Sequence, residues 1–156
     1  MFMKKQKGFT LIELLVVIAI IGLLSSLAVV SLGNVREKGR DTKRLSDMDA
    51  LKTAFELVNN ESGSYKPENT CFAGKMLYQC TGGALEGFLP TIKNLKDPIG
   101  TAGSCIVAGN CVAGCEYAVR MLSASTYAVE FYLETGAGMF KEAGCYSMSN
   151  TGIVKK

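Results

Sequence analysis

The sequence predicts an α+β fold, in which a long N-terminal helix packs against a small antiparallel β-sheet and disulfide bonds hold the loops. Three observations lead to this prediction. Apolar residues follow a helical pattern from residue 9 to about residue 60, and strand-like alternation begins near residue 117. All six cysteines lie between residues 71 and 145, after the helical segment. About one hundred residues remain beyond the N-terminal helix, which is enough for one small domain.

The first half of the predicted helix is apolar on every side. From Leu14 to Gly33 the chain runs for twenty residues without a charged side chain. A helix of about 20 apolar residues spans the hydrocarbon core of a bilayer. We therefore predict a membrane-spanning helix in this segment.

One acidic residue, Glu13, stands directly before the apolar run. A carboxylate inside a bilayer-spanning helix costs about 2.5 to 3.5 kcal/mol on insertion scales. Acidic residues in such positions are functional candidates that require a partner. We predict that Glu13 has one.

The N-terminal residues carry a family resemblance. Lys4, Lys5 and Lys7 precede the sequence Gly8-Phe9-Thr10-Leu11-Ile12-Glu13, and the apolar run follows. This pattern resembles the class III signal of type IV pilins and of type II secretion pseudopilins. The resemblance is close over about the first thirty residues, and the remainder is similar in layout. It implies that a membrane-embedded prepilin peptidase cuts between Gly8 and Phe9 and methylates the new N-terminus at Phe9.

The resemblance also implies a pilin-like fold and assembly into a helical filament, with the first half of the helix in the filament core. A free amine at Phe9 and the carboxylate of Glu13 lie four residues apart, about 6 Å along a helix. We predict that Glu13 meets the Phe9 amine of a neighbouring subunit, because both charges are then neutralised. The alternatives are that Glu13 pairs with Phe9 of its own helix or reaches the lipid headgroups.

Two other interpretations of the N-terminal segment remain. The first is an ordinary secretory signal, which would be cut after Ser26-Leu27-Ala28. Two features argue against it: the apolar run is longer than in such signals, and the segment contains Glu13. A single-pass anchor that is never cut is the second. Basic residues on both sides of the span leave its orientation open. An outside C-terminal domain is therefore inferred from the resemblance and from the cysteines.

The chain is predicted to divide into a leader at 1–8, a membrane and filament-core helix half at 9–33, an amphipathic helix half at 34–60 and a globular pilin-like head at 61–156. The amphipathic half carries an apolar stripe, which consists of Val35, Leu45, Met48, Leu51, Phe55 and Val58. Mixed charges between Arg36 and Asp49 are interpreted as a solvated face. The helix is expected to end near Asn59 to Gly63, where asparagine and glycine suit a C-terminal cap.

Loops follow the helix. Gly63, Tyr65 and Pro67 resemble the Gly-x-Tyr-Pro turn of pseudopilins, and a short helix is expected from Leu85 to Leu89. The segment 96–100, Lys-Asp-Pro-Ile-Gly, resembles the Asp-Pro turn that precedes the sheet in major pseudopilins, some of which bind calcium nearby. The acidic residue of this turn has few acidic neighbours in sequence, so we predict no metal.

The cysteines are predicted to form three disulfides. They are Cys71, Cys80, Cys105, Cys111, Cys115 and Cys145. An even number in a small domain outside the membrane is typical of a disulfide framework. A thiolate zinc site is the alternative, but the chain contains no Cys-x-x-Cys pair. We expect the pairs Cys71–Cys80, Cys105–Cys111 and Cys115–Cys145.

The clearest strands come last. Residues 117–122 and 127–133 alternate between apolar and polar side chains around the turn Ser123-Ala124-Ser125. They predict an antiparallel hairpin with one buried face. A third strand around 145–148 would complete a small sheet on the amphipathic half of the helix.

Composition argues against several functions. The chain has no histidine, so Ser-His-Asp and Cys-His catalytic sites and imidazole metal ligands are excluded, and we predict no enzyme and no cofactor. The net charge of +3 comes entirely from the lysines of residues 1–8. The remaining chain is balanced and gives no electrostatic reason for nucleic acid as a main partner.

The predicted function is that of a structural subunit of a type IV pilus-like surface filament. The implied partners are further copies of the chain, prepilin peptidase, an assembly ATPase with its platform protein, and membrane lipid before assembly. The implied location is the inner or cytoplasmic membrane, with the C-terminal domain outside, and then a pilus or a periplasmic pseudopilus. A type II secretion pseudopilin is the near alternative. A membrane-anchored extracellular binding domain that does not polymerise is the alternative of another class.

Overall fold

The computed structural model describes residues 8–66, 71–107 and 111–156, so Lys4, Lys5, Lys7 and Pro67 lie outside the described residues. Within these ranges the helices are α1 (Leu11–Ser62) and α2 (Ala84–Phe88), with 3₁₀ turns at Leu77–Gln79 and Ile92–Asn94. The strands are β1 (Ala118–Leu122), β2 (Tyr127–Leu133), β3 (Gly144–Ser149) and β4 (Gly152–Lys155). The predicted α+β, pilin-like fold is confirmed.

The chain forms two compact units, one that ends at Arg36 and one that comprises Glu37–Lys156. The described part of the first unit is dominated by helix. Its described large apolar side chains, from Phe9 to Val35, are between 49% and 90% exposed. By length and composition this helix contains a stretch apolar enough to cross a membrane, with a mean hydropathy of 2.8. The first unit therefore offers an apolar surface on all sides.

The second unit contains the sheet. Its four strands follow the order β1-β2-β3-β4, and each neighbouring pair is antiparallel. Val119 lies opposite Val129, and Phe131 lies opposite Tyr146. The predicted hairpin and third strand are confirmed. The fourth strand was not predicted, because it is only four residues long and has one half-buried apolar side chain, Ile153.

The core of the second unit lies between α1 and the sheet. The apolar stripe of α1 is buried there through Met48, Leu51, Phe55 and Val58, each at most 1% exposed. The sheet contributes its inward-facing residues, which are Val119, Tyr127, Val129, Phe131, Leu133, Tyr146 and Met148. The ring of Phe55 stacks on Tyr127 with 4.2 Å between centroids. This contact joins the helix directly to the central part of the sheet.

The helix ends where the sequence predicts. Gly63 has a positive φ of 71°, and its N–H donates to the carbonyl of Asn59 at 2.8 Å. A glycine in this conformation is a common helix terminator. Two residues later, the N–H of Tyr65 donates to the carbonyl of Ala124 at 3.0 Å. The chain leaving the helix is thus held against the turn between β1 and β2.

The structure pairs the cysteines as Cys71–Cys80, Cys105–Cys115 and Cys111–Cys145. The first is the predicted pair, whereas the predictions Cys105–Cys111 and Cys115–Cys145 are wrong. An isolated parallel bridge between Ser104 and Glu116 brings Cys105 and Cys115 together, with Cα atoms 4.9 Å apart. Cys111 lies beside β2 and thereby reaches Cys145 on the adjacent strand. Among the described residues no cysteine is free.

Candidate functional site

The first candidate site is the start of α1. Thr10 stands directly before the helix, and the N–H of Glu13 donates to its Oγ1 at 3.3 Å. The Glu13 carboxylate in turn accepts the Thr10 N–H at 2.7 Å and the Thr10 hydroxyl at 2.8 Å. Reciprocal bonds of this kind form a capping box, which satisfies N–H groups that a helix start leaves open.

The capping box gives Glu13 a partner that the sequence analysis did not name. The signal was available, because Thr-x-x-Glu directly before an apolar run is a capping-box signature. Both residues are exposed, so the carboxylate remains accessible to a second partner. The predicted contact between Glu13 and the Phe9 amine of a neighbouring subunit concerns two chains and stays a prediction.

The predicted cleavage site lies just before the helix. Gly8 and Phe9 have no regular secondary structure, and Phe9 is 90% exposed. Both predicted processing residues therefore lie in accessible backbone outside the helix, which a protease can bind more readily than a helix. Cleavage and methylation at this bond stay predictions.

The apolar surface that follows requires an external partner. Burial of one Leu, Ile, Val or Phe side chain is favourable by about 1.5–3 kcal/mol. The exposed side chains of the first unit together represent on the order of tens of kcal/mol by the same measure. Such a surface is stable in lipid or against other apolar helices.

The second candidate site is a cluster of charged residues in the second unit. At its centre is Arg44, which is 0% exposed. Its guanidinium donates to Asp97 at 2.6 and 3.0 Å, to Asp41 at 2.8 Å and to Glu134 at 2.5 Å. Arg40 adds a second guanidinium to Glu134, at 2.8 and 2.5 Å. The cluster ties α1 to the Asp-Pro turn and to the end of β2.

Asp41 connects the helix to the loop after β2. Its carboxylate accepts the backbone N–H groups of Glu134, Thr135 and Gly136 at 2.8 to 2.9 Å. Gly136 has a φ of 84°, and a Cβ there would collide with the backbone of Phe140 and neighbouring residues. The loop can therefore form this cradle for Asp41 only with glycine at position 136.

The interpretation of the charged segment as a solvated face is wrong for Asp41 and Arg44, which are both 0% exposed. Arg44 is bound by the distant carboxylates of Asp97 and Glu134. Asp41 is bound by Arg44 and by the backbone N–H groups of residues 134–136. A helical pattern of mixed charges does not reveal such partners. Other members of the segment, including Lys38 and Lys43, are exposed as predicted.

The hydrogen bonds of Asp97 show whether this turn could bind calcium, as some major pseudopilins do nearby. One carboxylate oxygen accepts from Arg44 and from the N–H groups of Ile99 and Gly100, at 2.9 to 3.2 Å. The other accepts from Arg44. The guanidinium already lies between the carboxylates where a cation would be held. These residues do not fit a calcium site.

Hydrogen bonding shifts the pKa of several groups here. The pKa of Glu134 is lowered, first by the hydrogen bond from Arg40 and then by that from Arg44, against the opposing effect of burial. Burial alone would lower the pKa of Arg44, but hydrogen bonds to Asp97 and Glu134 outweigh it and the pKa is raised. Burial and the nearby Asp47 raise the pKa of Tyr117, whose hydroxyl donates to Asp47 at 3.1 Å. Glu134 and Arg44 are thus charged at neutral pH, whereas the Tyr117 hydroxyl keeps its proton.

Comparisons with known proteins agree with the first site. Residues 3–29 match the family model described as the prokaryotic N-terminal methylation motif. The chain is 43% identical over 65 residues to the type II secretion system core protein G of Escherichia coli (strain K12), which covers 42% of this chain and 45% of that protein. It is 48% identical over 54 residues to a fimbrial protein of Pseudomonas aeruginosa, which covers 35% of each chain.

A third relative is the type II secretion system core protein G of Vibrio cholerae, 38% identical over 63 residues, which covers 40% of this chain and 43% of that protein. The chain therefore spans less than half the length of these curated relatives. No solved structure matches it. The N-terminal methylation motif, these relatives and an α+β fold that begins with a long apolar helix all agree with the resemblance to type IV pilins and pseudopilins.

Proposed function

We propose that the chain is a structural subunit, without enzymatic activity, of a type IV pilus-like surface filament. Prepilin peptidase cuts it between Gly8 and Phe9 and methylates Phe9. The first unit then anchors it in the inner or cytoplasmic membrane, with the second unit outside, until an assembly ATPase and its platform protein polymerise it. The observation that carries the proposal is a methylation motif joined to a first unit whose described large apolar side chains are all exposed.

This surface supports two successive environments. An apolar helix without partners in its own chain is stable in lipid, where the backbone hydrogen bonds are satisfied internally. In a filament the same side chains are buried against the helices of other copies. The transfer from lipid to filament exchanges one apolar environment for another, so the direction of assembly needs a further, specific interaction.

Glu13 supplies that interaction in the proposal. In the single chain its carboxylate is held by Thr10. Cleavage creates an amine at Phe9, and the Phe9 amine of a neighbouring copy is the cation that neutralises Glu13 in an apolar environment. The cost of a carboxylate in lipid, about 2.5 to 3.5 kcal/mol, then favours the filament over the membrane.

Substitution of Glu13 tests the proposal. We expect Glu13→Ala to abolish filaments in the fraction sheared from cells, while cleaved protein stays in the membrane at the normal level. Glu61→Ala is the matched control, because Glu61 is an exposed carboxylate at the other end of α1. Normal filaments from Glu13→Ala would overturn the role of Glu13, and surface display without any filament from the unmodified chain would favour a non-polymerising anchored domain.

A pseudopilin of a type II secretion system is the second candidate, and it is favoured by the relatives named core protein G. Both functions use the same processing and the same apolar helix. A deletion strain distinguishes them. A pilus subunit is required for sheared surface filaments, whereas a pseudopilin is required for the release of secreted proteins and leaves no filaments in the sheared fraction.

A further inference from the structure

A polar cavity in the second unit is not used by the assembly site or by the buried charge cluster. Its volume is about 360 Å³, within the range of small-molecule sites, about 300 to 1,000 Å³. It is lined by Lys38, Thr42, Thr135, Gly136, Ala137, Gly138, Phe140 and Lys141. We propose that this cavity holds the phosphate headgroup of an anionic membrane lipid. The proposal rests on the membrane anchoring in the proposed function.

The described lining of the cavity carries only positive charge. Its ionisable residues are Lys38 and Lys141, both exposed, and none of the described lining residues is acidic. Within the described ranges neither ammonium group makes an ion pair or a hydrogen bond to another side chain. The two ammonium groups beside this cavity provide up to six N–H donors, and their positive charge favours the single negative charge of a phosphodiester.

Three acidic groups on elements that border the cavity are already neutralised. Asp41 lies behind the loop that forms one wall, but its carboxylate is bound by Arg44 and by the N–H groups of residues 134–136. Glu134 is paired with both Arg40 and Arg44, and Glu142, the residue after Lys141, is paired with Lys155. The two lysines therefore keep their charge available for an external anion.

The position of Lys38 in the chain favours a membrane lipid as the anion that binds in the cavity. Lys38 follows Gly33, the last residue of the uncharged segment, by five residues. Five residues span at most about 18 Å even when fully extended. The headgroup layer on each side of a bilayer adds about 5 to 8 Å to the hydrocarbon core. When Leu14–Gly33 spans the membrane, Lys38 is confined to the neighbourhood of the headgroups.

The hydroxyl groups of the cavity are less available than the lysines. Thr42 donates to the carbonyl of Lys38 at 2.9 Å, and Thr135 donates to Asp41 at 3.2 Å. Both hydrogens are thus committed within the protein. The lysines are expected to carry the affinity, and their substitution is the direct test.

The test is a titration of short-chain phosphatidylglycerol into the full chain in a neutral detergent, followed by NMR of the amides of residues 136–141. We expect saturable shifts for the unmodified protein. Lys38→Gln and Lys141→Gln should each weaken binding about fivefold, which corresponds to about 1 kcal/mol per lysine at an anionic surface. The double variant should lose about 25-fold by the same estimate.

The matched control is the double variant Lys66→Gln and Lys93→Gln, which removes two exposed lysines elsewhere in the second unit. It should bind within twofold of the unmodified protein. Equal weakening in the control, or no saturable shift at all, would overturn the proposal. A parallel titration with inorganic phosphate identifies the source: binding as tight as that of phosphatidylglycerol would mean a site for free phosphate and contradict a lipid site.

A contact with an acidic group of a neighbouring copy would give another pattern. The double variant Lys38→Gln and Lys141→Gln would then bind phosphatidylglycerol normally but form fewer filaments, and the lipid proposal would be wrong. Failure of the proposed function is distinguished from failure of the lipid proposal by the filament assay. If the proposed function is wrong, the unmodified chain forms no filaments, whatever the lipid titration gives.

Discussion

Leucine side chains in the two parts of α1 have opposite surroundings. Leu24, in the first unit, is 58% exposed, whereas Leu51, in the second, is 0% exposed. In the second part, polar residues confine the apolar ones to a stripe, and the sheet of the same chain covers it. In the first part the apolar residues surround the helix, and the described chain provides nothing to cover them. A helix with a single apolar stripe completes its own domain, whereas a helix that is apolar on all sides needs lipid or further copies.

The charged residues of the two units show the same contrast. Glu13 is exposed, and among the described residues its side chain is bound by Thr10, three residues away. Arg44 is buried and bound by carboxylates that lie up to 90 residues away in sequence. A local cap can open when a better partner arrives, whereas a buried network cannot change partners without unfolding the domain. In the proposed function, this contrast assigns assembly to the first unit and stability to the second.

The largest effect is expected from Arg44→Ala. It leaves buried carboxylates without their cation, and loss of one partner of a buried pair costs about 3–5 kcal/mol. Lys43→Ala is the control one residue away, because Lys43 is half exposed and its ion pair with Asp47 is worth about 0–1 kcal/mol. The measurement is denaturant unfolding of the full chain in detergent, followed by tyrosine circular dichroism. Equal losses for both variants would contradict a stabilising cluster.

A matched leucine pair tests the two parts of the helix directly. Leu51→Ala removes a fully buried side chain, and we expect a loss of about 2–5 kcal/mol in the free energy of unfolding of the second unit. Leu24→Ala should change that free energy by less than about 0.5 kcal/mol, since the side chain is exposed. Both free energies are measured by the same denaturant unfolding of the full chain in detergent. A comparable loss from Leu24→Ala would mean that the first unit contributes to the core.

The smallest effect is a pH dependence that comes from Glu134. The folded-state pKa of this group lies below the ordinary value of 4.5, so its contribution to stability is complete above pH 4.5. It is lost as the pH falls from 4.5 through the lowered folded-state value. In Glu134→Gln the free energy of unfolding should therefore fall less steeply below pH 4.5. The exposed Glu61→Gln serves as control and should keep the slope of the unmodified protein.

Regular patterns in the sequence were sufficient for most of the fold. The helix was predicted from Phe9 to about Asn60 and observed from Leu11 to Ser62, because apolar spacing and the terminal glycine are local signals. The central hairpin followed from alternation in the same way. The strand β4 has too few buried residues to give such a signal.

Features that depend on distant residues could not be predicted. The cysteine pairs after Cys80 are set by sheet neighbours, since Cys145 lies on β3 and Cys111 lies against β2. Sequence proximity gave the wrong partners for that reason. The burial of Arg44 likewise depends on Asp97 and Glu134, which the helical pattern does not contain. At the assembly site the bond between Thr10 and Glu13 was local and was available from the sequence.

The most direct test of the account is the N-terminal sequence and intact mass of the protein in sheared surface filaments. A processed filament subunit begins at N-methylated Phe9 and is recovered in the sheared fraction. Reduction should add the mass of six hydrogens, since the structure contains three disulfides. A chain that begins at Val29 would mean ordinary secretion, and a chain that still begins at Met1 would mean a plain anchor. Either result would contradict a processed filament subunit.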